Sequence, residues 1–258
     1  MLGLIYPDQN PGEDYRCSVE ITDMERKFNI NRAAEGTLPG LTMGRKPLEN
    51  TFEMMDVDGS LIPYLVDAIF DWRDPDDTRG VNGAESEYYE PLGYSAKNGH
   101  IDDLRELLLI KDITPEMYWG NVTNSLTAGT TPTPLGVDGE SLNYQYALVD
   151  LFTPLSTGYV NINTAPAKVL QIFDLPGDPA VTAQYIVDMR LGEDGLEGTG
   201  DDFLFQNVDQ LQSVPGYASS SSAARDYAIK NAKRFFKAYS YTFEVRVTAS
   251  IRGQERTL

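Results

Sequence analysis

Apolar and polar residues alternate without a break from Tyr241 to Arg252. Tyr241, Phe243, Val245, Val247, Ala249 and Ile251 take one side, and Thr242, Glu244, Arg246, Thr248, Ser250 and Arg252 take the other. A period of two over that length predicts a half-buried antiparallel strand. Gly253-Gln254 predicts a turn out of it into a hairpin. Near the N-terminus, residues 18–22 and 27–30 flank 23–26 and predict a second hairpin. Between the two ends the spacing turns helical. Leu61, Leu65, Ile69 and Trp72 mark one helix, and Leu104, Leu107 and Leu108 a stripe within 102–110. Thr114 caps a short helix that opens with Pro115 and runs through Tyr118 and Trp119. Thr164-Ala165-Pro166-Ala167 starts a helix through Val169, Leu170 and Phe173. Asp178-Pro179 starts the next, with Ala183, Ile186, Val187 and Arg190. A last helix at about 223–237 carries Tyr227, Ala228, Asn231 and Phe235 on one side, and the Thr-, Gly- and Pro-rich residues 127–141 read as a loop. Sheet at both ends around a helical block predicts an α+β fold with an insertion, not alternating βαβ units.

One element occurs twice. Lys27-Phe28-Asn29-Ile30-Asn31-Arg32-Ala33 and Tyr159-Val160-Asn161-Ile162-Asn163-Thr164-Ala165 share a pattern in which a short apolar strand ends in Asn. Asn side chains bond nearby backbone groups and start turns and helices, so a structural capping role is expected for both copies. The second copy, continuing to Leu175-Pro176-Gly177 and Arg190, resembles the helix-hairpin-helix modules of competence-type DNA-binding proteins. In those, backbone N–H groups at a helix N-terminus receive phosphate. Here Pro179 removes one such N–H, and Asp178 puts negative charge where phosphate would sit.

Charge strengthens that objection. The 258 residues hold 39 acids against 21 bases, a net −18 that repels nucleic-acid backbones. Catalytic chemistry has little to stand on. His100 is the only histidine and Cys17 the only cysteine, which leaves no second His for a zinc or facial-triad site and no internal disulfide or thiolate metal cluster. Cys17, in an expected strand, reads as a small buried apolar residue rather than a nucleophile. No nucleophile elbow or phosphate-cradling glycine loop is present. Asn121-Val122-Thr123 fits a glycosylation acceptor only by its short pattern. No apolar run approaches the roughly 18 residues of a membrane span. The abrupt apolar start after Met1 and the strand-like run that stops at Leu258 suggest a piece of a longer chain.

The acids gather in two places. Asp71, Asp74, Asp76, Asp77, Asn82 and Glu85 follow a helix, and Glu193, Asp194, Glu197, Asp201 and Asp202 lie in a Gly-rich loop. Such loops can wrap a calcium ion with carboxylate and carbonyl oxygens. Neither has EF-hand spacing. Spacing alone favours a solvated acidic loop, or Asp74 and Glu85 paired with Arg73 and Arg79.

With these pieces in order, the chain resembles the K-type minor pseudopilins of bacterial type II secretion systems. The segments that carry the resemblance are Glu20-Ile-Thr-Asp23 with Phe28-Asn-Ile-Asn31; Ile69-Phe-Asp-Trp-Arg-Asp-Pro-Asp76; Gly83-Ala-Glu85 with Tyr88-Tyr89; Tyr94 with Asn98; Leu104-Arg-Glu-Leu107; Val160-Asn-Ile-Asn-Thr-Ala-Pro166 with Leu170; Arg190 with Phe203; and Ser240-Tyr-Thr-Phe243. The resemblance implies a non-enzymatic protein with a pilin-like antiparallel sheet, residues 1–32 and 237–258. Into it is inserted a large helical domain, 33–236, containing a helix-hairpin-helix-like unit. It also implies a membrane-anchoring hydrophobic helix ahead of Met1, a place on the periplasmic side of the inner membrane at the pseudopilus tip, and I-type and J-type minor pseudopilins as partners. Calcium is implied too, with Asp74, Asp76, Asn82 and Glu85 in the first loop and Asp194, Glu197, Asp201 and Asp202 in the second as candidate ligands. The alternative is a helix-hairpin-helix nucleic-acid-binding protein.

Overall fold

The computed structural model describes residues 2–6, 15–35, 45–120, 144, 146–251 and 254–257. The expected 127–141 loop, the 121–123 acceptor and Gly253 lie outside them. Four strands, β1 (Leu2–Tyr6), β2 (Tyr15–Asp23), β7 (Phe243–Ile251) and β8 (Gln254–Thr257), form one antiparallel sheet in the order β1-β2-β7-β8. The alternating run at the C-terminus is therefore a central strand. Its partner is β2, with Cys17, Val19 and Ile21 opposite Ala249, Val247 and Val245.

Two expectations about this sheet change. Residues 18–22 and 27–30 do not pair with each other. The second of these segments gives β3 (Phe28–Asn29), which leaves the sheet and runs parallel to β4 (Phe152–Thr153). Alternation also led us to expect a buried face on β7, yet Tyr241, Phe243 and Val245 are 67%, 52% and 54% exposed. A period of two marks the face that can be covered and does not say what covers it.

The rest is a helical body. In chain order its α-helices are α1 (Ile30–Ala33), α2 (Arg45–Met54), α3 (Ile62–Arg73), α4 (Ser86–Tyr89), α5 (Pro115–Trp119), α6 (Leu148–Leu151), α7 (Ala167–Leu170), α8 (Pro179–Leu191), α9 (Pro215–Ala218) and α10 (Ser222–Phe235). Helices α3, α5, α8 and α10 follow the sequence reading. Helix α2 was not anticipated, although Leu48, Thr51 and Phe52 are buried along it. The helix at 164–173 shrinks to the single turn α7, with Phe173 beyond its end. On α10 the inward side is Ala228 and Ala232, and Tyr227 faces out at 69% exposure. Small residues there let the helix sit close to its neighbours, and the larger ring is turned to solvent.

At the centre lies an aromatic cluster. Phe28 packs against Phe152 at 6.3 Å and Phe173 at 5.0 Å between ring centroids, and Phe173 against Phe236 at 4.9 Å. Such pairs, two of them tilted toward edge-to-face, contribute beyond their buried area. Two parallel strand pairs bring the rings together: β3 with β4, and β5 (Val160–Asn161) with β6 (Phe236–Lys237). No helix among the described residues is long and apolar enough to cross a membrane.

The Asn-Ile-Asn copies do equivalent work. Asn29 Oδ1 accepts from the N–H groups of Asn31 and Arg32, and Asn161 Oδ1 accepts from that of Asn163. The second Asn of each copy holds a distant residue by both backbone groups. Asn31 does this to Ile101, at 2.9 and 2.7 Å, and Asn163 to Phe205, at 2.9 Å for both bonds. From each held residue a 3-10 helix follows behind a capping box, Leu104–Leu109 after Asp103 and Val208–Ser213 after Asn207. Buried side chains then recur every third residue: Ile101, Leu104, Leu107, Ile110 and Ile113, and likewise Phe205, Val208, Leu211, Val214 and Tyr217. That spacing is the three residues per turn of a 3-10 helix. The body thus repeats one strand–Asn–3-10 unit.

Candidate metal centre

Asp67 and Asp71 lie one helical turn apart on α3, both buried, and the helix ends with Asp74 as its C-cap. The chain then loops back, and the loop is laid against the helix by carboxylates accepting from backbone N–H groups. Asp71 accepts from Gly80 N at 3.1 and 3.0 Å, and Asp67 Oδ2 accepts from both the backbone and side-chain nitrogens of Asn82. Close approach requires glycine. A Cβ on Gly83 would stand 1.9 Å from Asp71 Oδ2, and one on Gly80 2.9 Å from Asp71 Oδ1. The return path carries Glu85 inward, and a few residues on, the buried ring of Tyr89 meets that of Trp72 edge to face at 5.2 Å.

Asp71, Asp74 and Glu85 each bring a carboxylate oxygen within 4.8 Å of the others, and among the described residues no other acidic group converges this way. Glu85 is 3% exposed, and neither of its oxygens has a hydrogen-bond partner. Two bare carboxylate oxygens in the interior are costly unless the group is protonated or a cation sits beside it. Burial accordingly pushes the Glu85 carboxyl up to about 7, helped by the charges of Asp71, Asp74, Asp77 and Asp76. Asp71 and Asp74 are raised as well, chiefly by burial, with neighbouring acids adding to it and backbone N–H groups opposing. Neither Asp74 nor Glu85 pairs with Arg73 or Arg79 among the described ion pairs.

The other candidate residues face different partners. Asp76 is exposed and accepts from Thr78 N at 2.8 Å, while Asn82 is bonded to Asp67. Asp77 accepts from Ser86 Oγ and Asn98 Nδ2, both at 2.9 Å, and these bonds lower its pKa. In the second loop the carboxylates are held by the loop itself. Asp201 accepts from Glu193 N and Asp194 N, Asp202 from Gly198 N, and Asp194 from Leu196 N. Glu197 is exposed. The member that sequence reasoning left out of its ligand set is Asp71. Its place four residues after Asp67 on the same helical face, and three before Asp74, is the signal that was there to read.

Residues 26–120 match the family model described as type II secretion system (T2SS), protein K. No curated protein matches the sequence. The structure is similar to a chain in the crystal structure of the GspK-GspI-GspJ complex from the enterotoxigenic Escherichia coli type 2 secretion system. The TM-score is 0.63 at 16% identity, over 100% of this chain and 76% of that one. The family match begins in the turn after β2, takes in the first Asn-Ile-Asn copy and the whole Asp71–Tyr89 run, and ends after α5, while the similarity of fold extends over the full chain.

Proposed function

We propose that the chain is a structural subunit at the tip of a type II secretion pseudopilus. In this reading it assembles with I-type and J-type minor pseudopilins on the periplasmic side of the inner membrane and carries out no catalytic step. The observation behind it is the family match over 26–120 set within a fold shared with a chain of the GspK-GspI-GspJ complex. The division of labour is between a pilin-like sheet, residues 1–32 and 237–258, and the helical domain 33–236. Phe28 and Ile30 belong to the core of the body, which favours a first junction near Lys27. The open apolar face at Ile21, Phe243 and Val245 suits packing against partner subunits. Mixing this chain with the I- and J-type proteins of the same genome, with calcium present, is expected to give a ternary complex on size exclusion with light scattering. Three separate species would sink the proposal.

Calcium is part of this reading, with Asp71, Asp74 and Glu85 as its ligands. Oxygens on opposite sides of a calcium ion are roughly 4.6–5.2 Å apart, so three carboxylates this close can share one ion. The unpartnered oxygens of Glu85 are the observation that fits a cation best. A bound ion would neutralise the cluster and fasten the 74–85 loop to α3. Asp76 and Asn82 then shape the loop through Thr78 and Asp67. For the second loop, Asp194, Glu197, Asp201 and Asp202 remain a weaker proposal, since the loop amides already engage three of them.

A helix-hairpin-helix unit formed by α7 and α8, acting on nucleic acid, is the second reading. Asp178 argues against it. Its side chain accepts from Ala180 N and Val181 N, the N–H groups that would otherwise meet phosphate. A gel shift with duplex DNA at low salt is expected to show no binding, and a salt-dependent shift would favour this second reading.

A further inference from the structure

Sheet and body are joined by little apolar contact. The hydrophobic cluster runs from Phe28 to Ala238, and among the described side chains none of β2 or β7 belongs to it. The chain passes from sheet to body after Asp23 and returns before Phe243, and these crossings lie side by side, with Met24 N donating to Thr242 O at 3.0 Å. Two carboxylates on the outgoing crossing tie the whole junction. Asp23 Oδ2 accepts from Ser240 Oγ at 2.7 Å on the returning crossing, and from Thr164 Oγ1 and Asn161 Nδ2 in the second Asn-Ile-Asn copy. Glu25, only 1% exposed, accepts from Tyr241 N at 2.6 Å through Oε2 and from Thr157 Oγ1 at 2.6 Å through Oε1. Asp23 Oδ1 also accepts from Glu25 N, so the two acids brace each other. Lys237 closes the joint from the body side, its Nζ 3.9 Å from the centre of the Tyr159 ring.

We infer that Asp23 and Glu25 form a rigid polar joint that sets the angle between the sheet and the helical body, and that they are positioning residues for the subunit's assembly. Three features argue for a fixed angle. Each carboxylate, on the outgoing crossing, binds both the returning crossing and the body, charge-assisted bonds are short and directional, and Glu25 is shielded from competing water. Among the described side chains, sheet and body share no large apolar interface of the kind that holds two parts of a chain in one orientation. The joint stands on these contacts alone. Its consequence for assembly rests on the tip-subunit reading above.

Double electron–electron resonance on the whole chain tests it, with spin labels at Ser18→Cys on β2 and Gln184→Cys on α8 in a Cys17→Ala background. The parent is expected to give one narrow distance peak. Asp23→Ala combined with Glu25→Ala should lose that peak to a broad distribution, with the body's melting midpoint retained and Asp23→Asn partly restoring the peak. A narrow peak in a folded double variant would overturn the joint. Should the double variant not fold, Thr157→Val with Ser240→Ala removes one donor from each acid. Broadening there supports the inference and an unchanged peak overturns it. If a tenth of the loosened molecules hold the competent angle, apparent affinity for the I- and J-type partners falls about tenfold. Undiminished affinity in a variant with a broadened distance distribution would refute the positioning role. Failure of the parent to bind those partners would count against the tip-subunit reading and leave the distance test of the joint intact.

Discussion

Asn31 holds Ile101 by both of its backbone groups, although 70 residues separate them. An amide side chain offers one acceptor and two donors, so it can stand in for a strand neighbour at a place where no strand runs. Asn163 does the same for Phe205. Each pair fixes the start of a 3-10 helix whose apolar side lines the core.

Asn31→Ala and Asn163→Ala each leave a backbone N–H and C=O without partners. We expect each to lower stability by about 2–4 kcal/mol, read as an earlier urea midpoint with an unchanged slope. A loss below about 0.5 kcal/mol, the size of an ordinary surface change, would show that water replaces the amide and that these residues do not fix the core.

Adding calcium to metal-free protein should raise the melting temperature. Ligand at a hundred times its dissociation constant stabilises by about 2.7 kcal/mol, or about 5–10 °C for a chain of this size. The buried indole Nε1 of Trp72 has no partner, and its ring lies against Tyr89 in the same region, so tryptophan emission should report binding. Glu85→Gln is expected to abolish both responses. An unchanged midpoint at millimolar calcium would remove the metal from the account.

Much of this was legible beforehand, for reasons that differ between elements. Strand β7 announced itself because twelve residues kept one period, and α5 and α8 because Thr114-Pro115 and Asp178-Pro179 are strong starting signals. The 3-10 helices hid in plain view. Leu108 drew the eye to a 3.6-residue period, whereas Ile101, Leu104 and Leu107 obey a period of three. Strands β3 to β6 are two residues each, too short for any periodicity to register, and their partners lie far away in the chain. The acidic loop could be located but not resolved into ligands. Which carboxylates converge depends on how Gly80 and Gly83 let the loop fold back on α3, and spacing does not encode that.

Glu85 also sets a pH dependence. Its carboxyl stands near 7 in the folded protein against an ordinary 4.5. Between those values the unfolded chain releases a proton that the folded one retains. The stability of the metal-free protein therefore falls as pH rises toward 7 and levels off above it. Calcium, which favours the ionised form, should reverse the slope. Urea midpoints at pH 5 and pH 7.5, with and without the ion, are the measurement. A metal-free protein more stable at the higher pH would contradict the assignment, and Glu85→Gln should flatten the difference.

Gly83→Ala would place its Cβ 1.9 Å from Asp71 Oδ2 and 3.1 Å from Asp67 O. The loop must then move off the helix, costing about 1–3 kcal/mol and separating Glu85 from Asp71. We expect calcium binding by calorimetry to be lost. Gly59→Ala, with nothing within 4 Å of its added carbon, is the matched control. Equal calcium affinity in the two variants would show that the loop tolerates the displacement.

Strands β2 and β7 lie side by side with Asp23 opposite Phe243, so the central pair of the sheet is closed across the entire body. Bringing the ends of a free chain of some 220 residues together costs about 5 kcal/mol in loop entropy. A folded body removes most of that cost, because it already delivers both crossings to the same place. We therefore expect the body to fold first and the sheet after it. A chain with an unfinished body would then present no complete sheet, and on the tip-subunit reading the protein would carry its own check on which molecules are fit to join a fibre.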